Sequence, residues 1–263
     1  MVLILLPPSE GKQPAGHGAP FDADSLQFPE LNASRQQLLT VLSAVSGADD
    51  ALEVLGVGKS LVAAVTRNID LHTEPAAAAH TVYTGVLFEA LGYDRLDEAA
   101  RKRADSSILV ISALWGAVGF ADRIPAYRLS MSVKLPEIGK LASWWKPRLT
   151  PVLNARAGDG LVVDCRSSTY AAAWAPPAEN TVSVAVFQLR SGKLKVVSHF
   201  AKHTRGELAS HLLTRGADVK SPEELLAAAH ERWKAELIPG TARKAHQLNI
   251  ILPEDHAFKA VGN

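Results

Sequence analysis

The sequence predicts one α+β domain, in which helices surround a mixed β-sheet. The domain also contains a helix-hairpin-helix-like element. Short apolar runs typical of buried strands recur along the chain, and helical periodicities lie between them without strict β-α-β alternation. No internal repeat or linker divides residues 1–263. With 47% hydrophobic and 21% charged residues, the chain has enough apolar material for a single core.

The elements are predicted in order from the apolar runs and periodicities. Residues 2–6 predict a buried first strand that Pro7 and Pro8 end, and residues 7–29, rich in Pro and Gly, predict a long irregular loop. Further strands are predicted at 108–112, 160–164, 181–189, 193–200 and 247–253. Helices are predicted at 30–46, 49–55 and 59–69, in pieces across 76–104, and at 139–150, 202–215 and 222–235.

The composition argues against several classes of protein. A formal net charge of +1 is not that of a strongly basic nucleic-acid binder, although residues 190–215 carry six basic side chains against one acidic. The single cysteine, Cys165, excludes an internal disulfide and favours a reducing, cytoplasmic setting. The six-residue apolar start is too short for a signal peptide or a membrane span. The nine histidines lack metal-ligand spacing, so no metal or other cofactor is expected.

The helix predicted at 202–215 is the strongest indication of a binding site. Its apolar residues share one face, with Arg205 in the middle of that face and Lys202 at its edge. A cation directed toward a core is costly unless an anion pairs with it. Both cations stand in the first predicted turn, where free N–H groups attract negative charge. The pattern favours an anion site facing a cleft, and a structural pair of Arg205 with a carboxylate is the alternative.

Polar groups follow three of the predicted strands. Lys12 follows the first strand and belongs at the carboxyl edge of the sheet, where ligands bind in open α/β sheets. Ser112 ends the second strand. After the third, Arg166, Ser167 and Ser168 are suited to hold a phosphate or carboxylate, whereas a capped helix start is the plain alternative. Convergence of these loops on a cationic helix predicts a pocket.

The segment L-G-V-G-K-S at 55–60 has two interpretations. A P-loop requires a glycine at position 53, which is Glu53, so that interpretation is disfavoured. Helices at 49–55 and 59–69 around a Gly-Val-Gly turn instead predict a helix-hairpin-helix-like element, whose turn offers N–H groups to a DNA phosphate. A plain helical corner with Gly56 as its C-cap is the alternative.

Several motifs occur in order over most of the chain. They are L-I-L-L-P-P-S-E-G-K (3–12), V-Y-T-G (82–85), L-V-I-S-A-L-W-G (109–116), P-A-Y-R-L-S-M (125–131), the Trp144-Trp145 pair, V-V-D-C-R-S-S-T-Y (162–170) and S-H-F-A-K-H-T-R-G (198–206). Together they resemble the YaaA family of peroxide-stress proteins. The resemblance implies a bacterial, cytoplasmic protein that supports survival of hydrogen peroxide by limiting free intracellular iron. It also implies a single α+β domain with a positively charged cleft.

The resemblance also implies binding residues. Duplex DNA is expected to bind through a helix-hairpin-helix-like element at 49–69, with Lys59 as its cation. The residues implied for the cleft are Lys12, Tyr83, Thr84, Ser112, Tyr127, Arg128, Ser167, Tyr170, Lys202 and Arg205.

Two functional hypotheses follow. The one we favour is a DNA-associating stress protein without catalysis, which limits iron-driven damage and whose affinity falls steeply with salt. The alternative is an enzyme acting on a nucleotide, nucleoside or nucleobase, with Lys12, Tyr83 and Tyr170 as catalytic candidates. Direct iron binding is disfavoured because Cys, His and carboxylate ligands are not clustered. The expected partner is duplex DNA or a nucleotide-like ligand, with no membrane and no obligate protein partner.

Overall fold

A computed structural model describes residues 2–256 of the chain, apart from the side chain of Ser198. The strands are β1 (Leu3–Leu6), β2 (Ala77–Ala78), β3 (Ile108–Ser112), β4 (Gly116–Gly119), β5 (Arg123–Ile124), β6 (Lys134–Leu135), β7 (Gly139–Lys140), β8 (Val162–Asp164), β9 (Thr181–Arg190), β10 (Lys193–Val196), β11 (Lys234–Ile238) and β12 (His246–Leu252). The helices are α1 (Asn32–Ser46), α2 (Ala51–Val54), α3 (Val62–Arg67), α4 (Ala79–Val82), α5 (Val86–Leu91), α6 (Glu98–Ser107), α7 (Leu141–Ala157), α8 (Ser168–Ala171), α9 (Ser198–Thr214) and α10 (Pro222–His230).

An eight-stranded mixed sheet organises the fold. Its order is β11-β12-β9-β8-β1-β3-β4, and β10 pairs with β9. The four central pairs, β12–β9, β9–β8, β8–β1 and β1–β3, are parallel, whereas β4, β10 and β11 pair antiparallel. The predicted α+β class with a mixed sheet is therefore confirmed.

The central strands β1, β3 and β8 are buried along their whole length. β1 is apolar throughout, and β3 and β8 are apolar up to their last residue, which is the pattern of parallel strands covered on both faces. Helix α9 joins this core through one face, where Ala201, Leu208 and Ala209 are buried. Among the residues that the structure describes, no helix is both long and apolar enough to cross a membrane.

The prediction for residues 193–215 was wrong in one respect. The strand predicted at 193–200 ends at Val196, and α9 begins at Ser198 rather than at 202. Residues 193–196 are all exposed, and within the described part of the chain they pair with β9 alone, so the sheet gives no reason for the strand to continue. As a consequence Lys202 and Arg205 stand in the second and third turns of α9, and the expectation that they flank its free N–H groups fails.

Two strands of the eight-stranded sheet were missed, as were the two-residue strands β2, β5, β6 and β7, and several helix bounds moved. The helix predicted at 222–235 ends at His230, and residues 234–238 form β11 instead. Strand β4 (116–119) was also missed, because it is short and begins and ends with glycine. The helix predicted at 139–150 runs on to Ala157, through Pro147 and Pro151.

A helix-hairpin-helix element is not confirmed by the geometry of residues 49–69. Helix α2 has four residues and α3 has six, and a 3-10 turn, Lys59–Leu61, separates them. Gly56 has φ +64° just after α2; its N–H donates to the Glu53 carbonyl at 3.0 Å and that of Val57 to the Leu52 carbonyl at 2.9 Å. These two bonds define a Schellman C-cap, so the plain helical corner describes the segment.

Candidate functional site

Three neighbouring strands deliver the candidate residues to one edge of the sheet. Because β1, β3 and β8 are parallel, their carboxyl ends meet, and residues 7–12, Ser112 and residues 165–168 emerge together. This edge is where ligands bind in open sheets of parallel strands. Residues 7–12 then divide the surface above it into two cavities.

The first cavity, called the α9 cavity here, has a volume of about 320 Å³. It is lined by residues 7–11, 84–88, Ser167, Tyr170, His199, Lys202 and Arg205. The structure thus brings together five of the predicted site residues, which are Thr84, Ser167, Tyr170, Lys202 and Arg205. A volume of this size lies within the range of small-molecule sites.

Two cations of α9 form one wall of this cavity. Arg205 donates from Nε and Nη2 to the carbonyl of Val184 in β9, at 3.1 and 2.7 Å, so a strand fixes its guanidinium group. Among the described residues, Arg205 therefore binds a backbone carbonyl and not a carboxylate, unlike in the alternative prediction. Lys202 is exposed, and no hydrogen bond or ion pair of its ammonium group is found within the described part of the chain.

Gly206 explains how closely α9 approaches the opposite wall. A Cβ at this position would lie 2.1 Å from the Leu87 carbonyl oxygen of α5. Only glycine permits that approach, which sets Lys202 and Arg205 opposite residues 84–88. The glycine after Arg205 is the signal in the sequence for this packing.

Arg166 has a carboxylate partner of its own. Its Nε and Nη2 donate to the two carboxylate oxygens of Asp164 at 2.8 and 2.7 Å, and the Arg166 side chain is fully buried. The guanidinium group also lies 5.6 Å from the ring centroid of Trp174. Ser167 and Ser168 are exposed at the start of α8, and only Ser167 lines the α9 cavity. We therefore leave Arg166 out of the set of cations offered to a ligand.

The second cavity, called the Lys12 cavity here, has a volume of about 460 Å³. It is lined by residues 10–12, Leu61, Ala64, Arg67 and residues 126–128. The Nζ atom of Lys12 donates to the Ser9 carbonyl at 2.8 Å, and it lies 4.3 Å from the ring centroid of Tyr127 and 5.7 Å from that of Tyr83. Burial lowers the pKa of Lys12 to about 7, because its ammonium ion is poorly solvated there.

A chain of hydroxyl groups lies beneath Lys12. Ser112 Oγ accepts hydrogen bonds from the N–H groups of Leu114 and Trp115 at 3.2 and 3.0 Å. The hydroxyl of Tyr127 lies 2.7 Å from Ser112 Oγ, and that of Tyr83 lies 3.2 Å from that of Tyr127. Burial raises the pKa of both tyrosines above their ordinary value, so these hydroxyl groups stay protonated.

Arg128 holds the segment that separates the two cavities. Its Nη2 lies 3.0 Å from a carboxylate oxygen of Glu10, and its Nη1 donates to the Glu10 carbonyl at 2.9 Å. Its own backbone N–H donates to Asn68 Oδ1 at 2.8 Å. Arg128 therefore connects residues 9–12 to the chain that follows α3. Within residues 2–256, no group of three or more His, Cys, Asp or Glu side chains is arranged to hold a metal ion.

Comparison with known proteins finds the same family that the sequence motifs resemble. A family model described as "Peroxide stress protein YaaA" matches residues 2–237. The chain belongs to this family. It is 43% identical over 261 residues to a UPF0246 protein of Streptomyces coelicolor, covering 97% of this chain and 100% of that protein. It is 44% identical over 229 residues to a UPF0246 protein of Corynebacterium efficiens, covering 86% and 89%.

The structure separates the residues that the family resemblance implied for one cleft. Tyr170, 6% exposed, faces the α9 cavity, and burial raises its pKa above the ordinary value. Lys12, Tyr127 and Arg128 line the Lys12 cavity instead. Lys59 is exposed and lines neither of these cavities.

Sequence reasoning missed contributors to both cavities. Arg67 lines the Lys12 cavity, and Phe88 lines the α9 cavity. Neither residue had a distinguishing signal, because an arginine near a helix end and an apolar residue in a helix are common patterns.

Proposed function

We propose that the protein takes part in the peroxide stress response by binding a nucleotide-like anion in the α9 cavity. The observation that carries this proposal is the wall of α9, where Lys202 and Arg205 line one cavity. Arg205 is fixed by Val184, so it meets a ligand without first losing side-chain freedom. The exposed ammonium group of Lys202 is available to a phosphate.

The remaining walls fit the other half of such a ligand. Pro7, Pro8 and residues 86–88 are apolar, and Thr84 and Ser167 offer hydroxyl groups. A nucleotide combines a planar, weakly polar base with a charged phosphate, and this cavity combines an apolar wall with a cationic one. A duplex is wider than the cavity, which favours a single nucleotide over double-stranded DNA at this position.

Duplex DNA is the second candidate, and the surface beside the α2–α3 corner favours it. A groove of about 410 Å³ is lined by Gly56, Arg128 and Lys134 among others, and Lys59 is exposed nearby in sequence. The N–H groups of Gly56 and Val57 are already bonded within the C-cap, so phosphate contacts would come from the cations. For either candidate, we propose that binding takes place in the cytoplasm and limits iron-driven damage to the nucleotide or DNA.

One experiment compares the two candidates. Wild type, Lys202→Ala and the matched exposed-lysine variant Lys59→Ala are titrated with mononucleotides and with a fluorescent duplex over a salt series. Loss of a charged contact predicts roughly tenfold weaker mononucleotide binding for Lys202→Ala and no change for Lys59→Ala. Equal affinities of wild type and Lys202→Ala would contradict the α9 cavity. Steeply salt-dependent duplex binding that only Lys59→Ala weakens would favour DNA held at the corner.

A further inference from the structure

The Lys12 cavity lies outside the proposed nucleotide site, yet it contains an unusual amine. An ammonium ion has three N–H donors. Among the described residues, Lys12 Nζ has one hydrogen-bond acceptor, the Ser9 carbonyl at 2.8 Å, and otherwise faces the rings of Tyr127 and Tyr83. No ion pair joins it to a carboxylate among residues 2–256, and the neighbouring Glu10 is bound to Arg128 at 3.0 Å.

Burial favours the neutral amine, whereas the Ser9 carbonyl and the ring of Tyr127 each stabilise the ammonium ion. Burial is the largest cause of the lowered pKa of Lys12, which is about 7, and Arg128 lowers it further while Glu10 opposes the shift. A substantial part of Lys12 is therefore unprotonated at neutral pH, and an unprotonated lysine is a nucleophile toward carbonyl carbon.

The other charges of the cavity select the compound that approaches this amine. Arg67 and Arg128 line it, and Glu10 is the one carboxylate among its described lining residues. Arg67 Nε also lies 3.2 Å from a carboxylate oxygen of Glu74, which is not among the residues that line the cavity. A guanidinium group has five N–H donors, and these contacts engage one donor of Arg67 and two of Arg128, so both side chains can still donate to a small molecule that carries negative charge.

We propose that Lys12 binds a small anionic aldehyde covalently, as an imine, in the Lys12 cavity. The electron pair of the amine forms a bond to the carbonyl carbon. The carbonyl oxygen then leaves as water with the two protons that the amine carried, so no oxidant or reductant is needed. Protonation of the imine nitrogen from solvent gives a cation, and the Tyr127 ring face, now 4.3 Å from Nζ, stabilises positive charge at this position.

Reductive trapping tests this proposal on the whole protein. Wild type is mixed with substoichiometric pyridoxal 5′-phosphate, reduced with borohydride and mapped by peptide mass spectrometry. Because an ordinary lysine is almost fully protonated at neutral pH, we expect roughly tenfold or greater occupancy of Lys12 than of exposed Lys59. Pyridoxal, which lacks the phosphate, should label Lys12 less.

The variants make the result specific. Lys12→Met should lose the visible absorbance of the protonated imine, whereas Lys59→Met and Lys202→Met should keep it. Adducts spread evenly over exposed lysines, or an adduct mainly on Lys202, would overturn the proposal, and mapping on wild type gives this answer even if Lys12→Met does not fold. Nucleotide binding is measured separately through Lys202, so failure of either proposal leaves the other standing.

Discussion

The cleft at the carboxyl edge of the sheet and the corner between α2 and α3 both carry cations and glycines, but they hold them differently. In the cleft Arg205 is bound to Val184, Arg166 to Asp164 and Arg128 to Glu10. At the corner Lys59 is exposed. The charge of a segment therefore says little about its role until the partners of each cation are known.

This difference has an energetic consequence. A buried cation that loses its partner still bears the free-energy cost of desolvation, whereas an exposed cation stays hydrated. Removing the partner of a buried cleft cation should therefore change the stability of the protein, whereas replacing the exposed Lys59 at the corner should change it little.

The largest effect is expected when Arg166 loses its carboxylate. Asp164→Ala would leave the buried guanidinium group unpaired, which costs about 3–5 kcal/mol in the free energy of unfolding. Glu98→Ala is a matched control, because its pair with Lys102 is also short, at 2.6 Å, but highly exposed. That variant should lose at most about 0.5 kcal/mol. Urea denaturation measures both, and similar losses for the two variants would remove the contrast.

The central strands and the cationic face of α9 could be predicted because their signals are local. Apolar runs marked β1, β3 and β8, and a period of 3.6 residues placed Arg205 toward the core. The start of α9 could not be predicted, since the apolar residues before it are compatible with a strand. Within residues 2–256, β10 pairs with β9 alone, and that pairing ends at Val196.

The division of the site into two cavities was also beyond the sequence. It depends on Arg128 binding Glu10, which is 118 positions away. The partner of Arg166 is different, because Asp164 is only two residues away and the pair was visible in D-C-R. A nearby carboxylate of this kind is a reason to favour a structural role for an arginine at the end of a strand.

The next effect concerns Lys12 and depends on pH. The unfolded chain keeps its Lys12 proton up to the ordinary pKa of 10.5, whereas the folded protein releases it near pH 7. The unfolded state thus binds more protons between these values, so stability should rise with pH in this window. Relative to Lys12→Met, wild type should gain about 2 kcal/mol between pH 7 and pH 9. A difference that stays constant over this range would show that Lys12 keeps its proton in the folded protein.

The smallest effect belongs to the corner, where two glycines provide their own control. Gly56 has φ +64° and Gly58 has φ −80°, and nothing lies within 4 Å of a Cβ added at either position. Gly56→Ala should therefore cost about 1 kcal/mol through backbone strain alone, whereas Gly58→Ala should be neutral or stabilising by up to about 1 kcal/mol. Thermal or urea unfolding separates the two. If Gly58→Ala destabilises the protein as much as Gly56→Ala, the stability of the corner depends on contacts as well as on backbone conformation. The corner would then differ less from the cleft than the exposed side chain of Lys59 indicates.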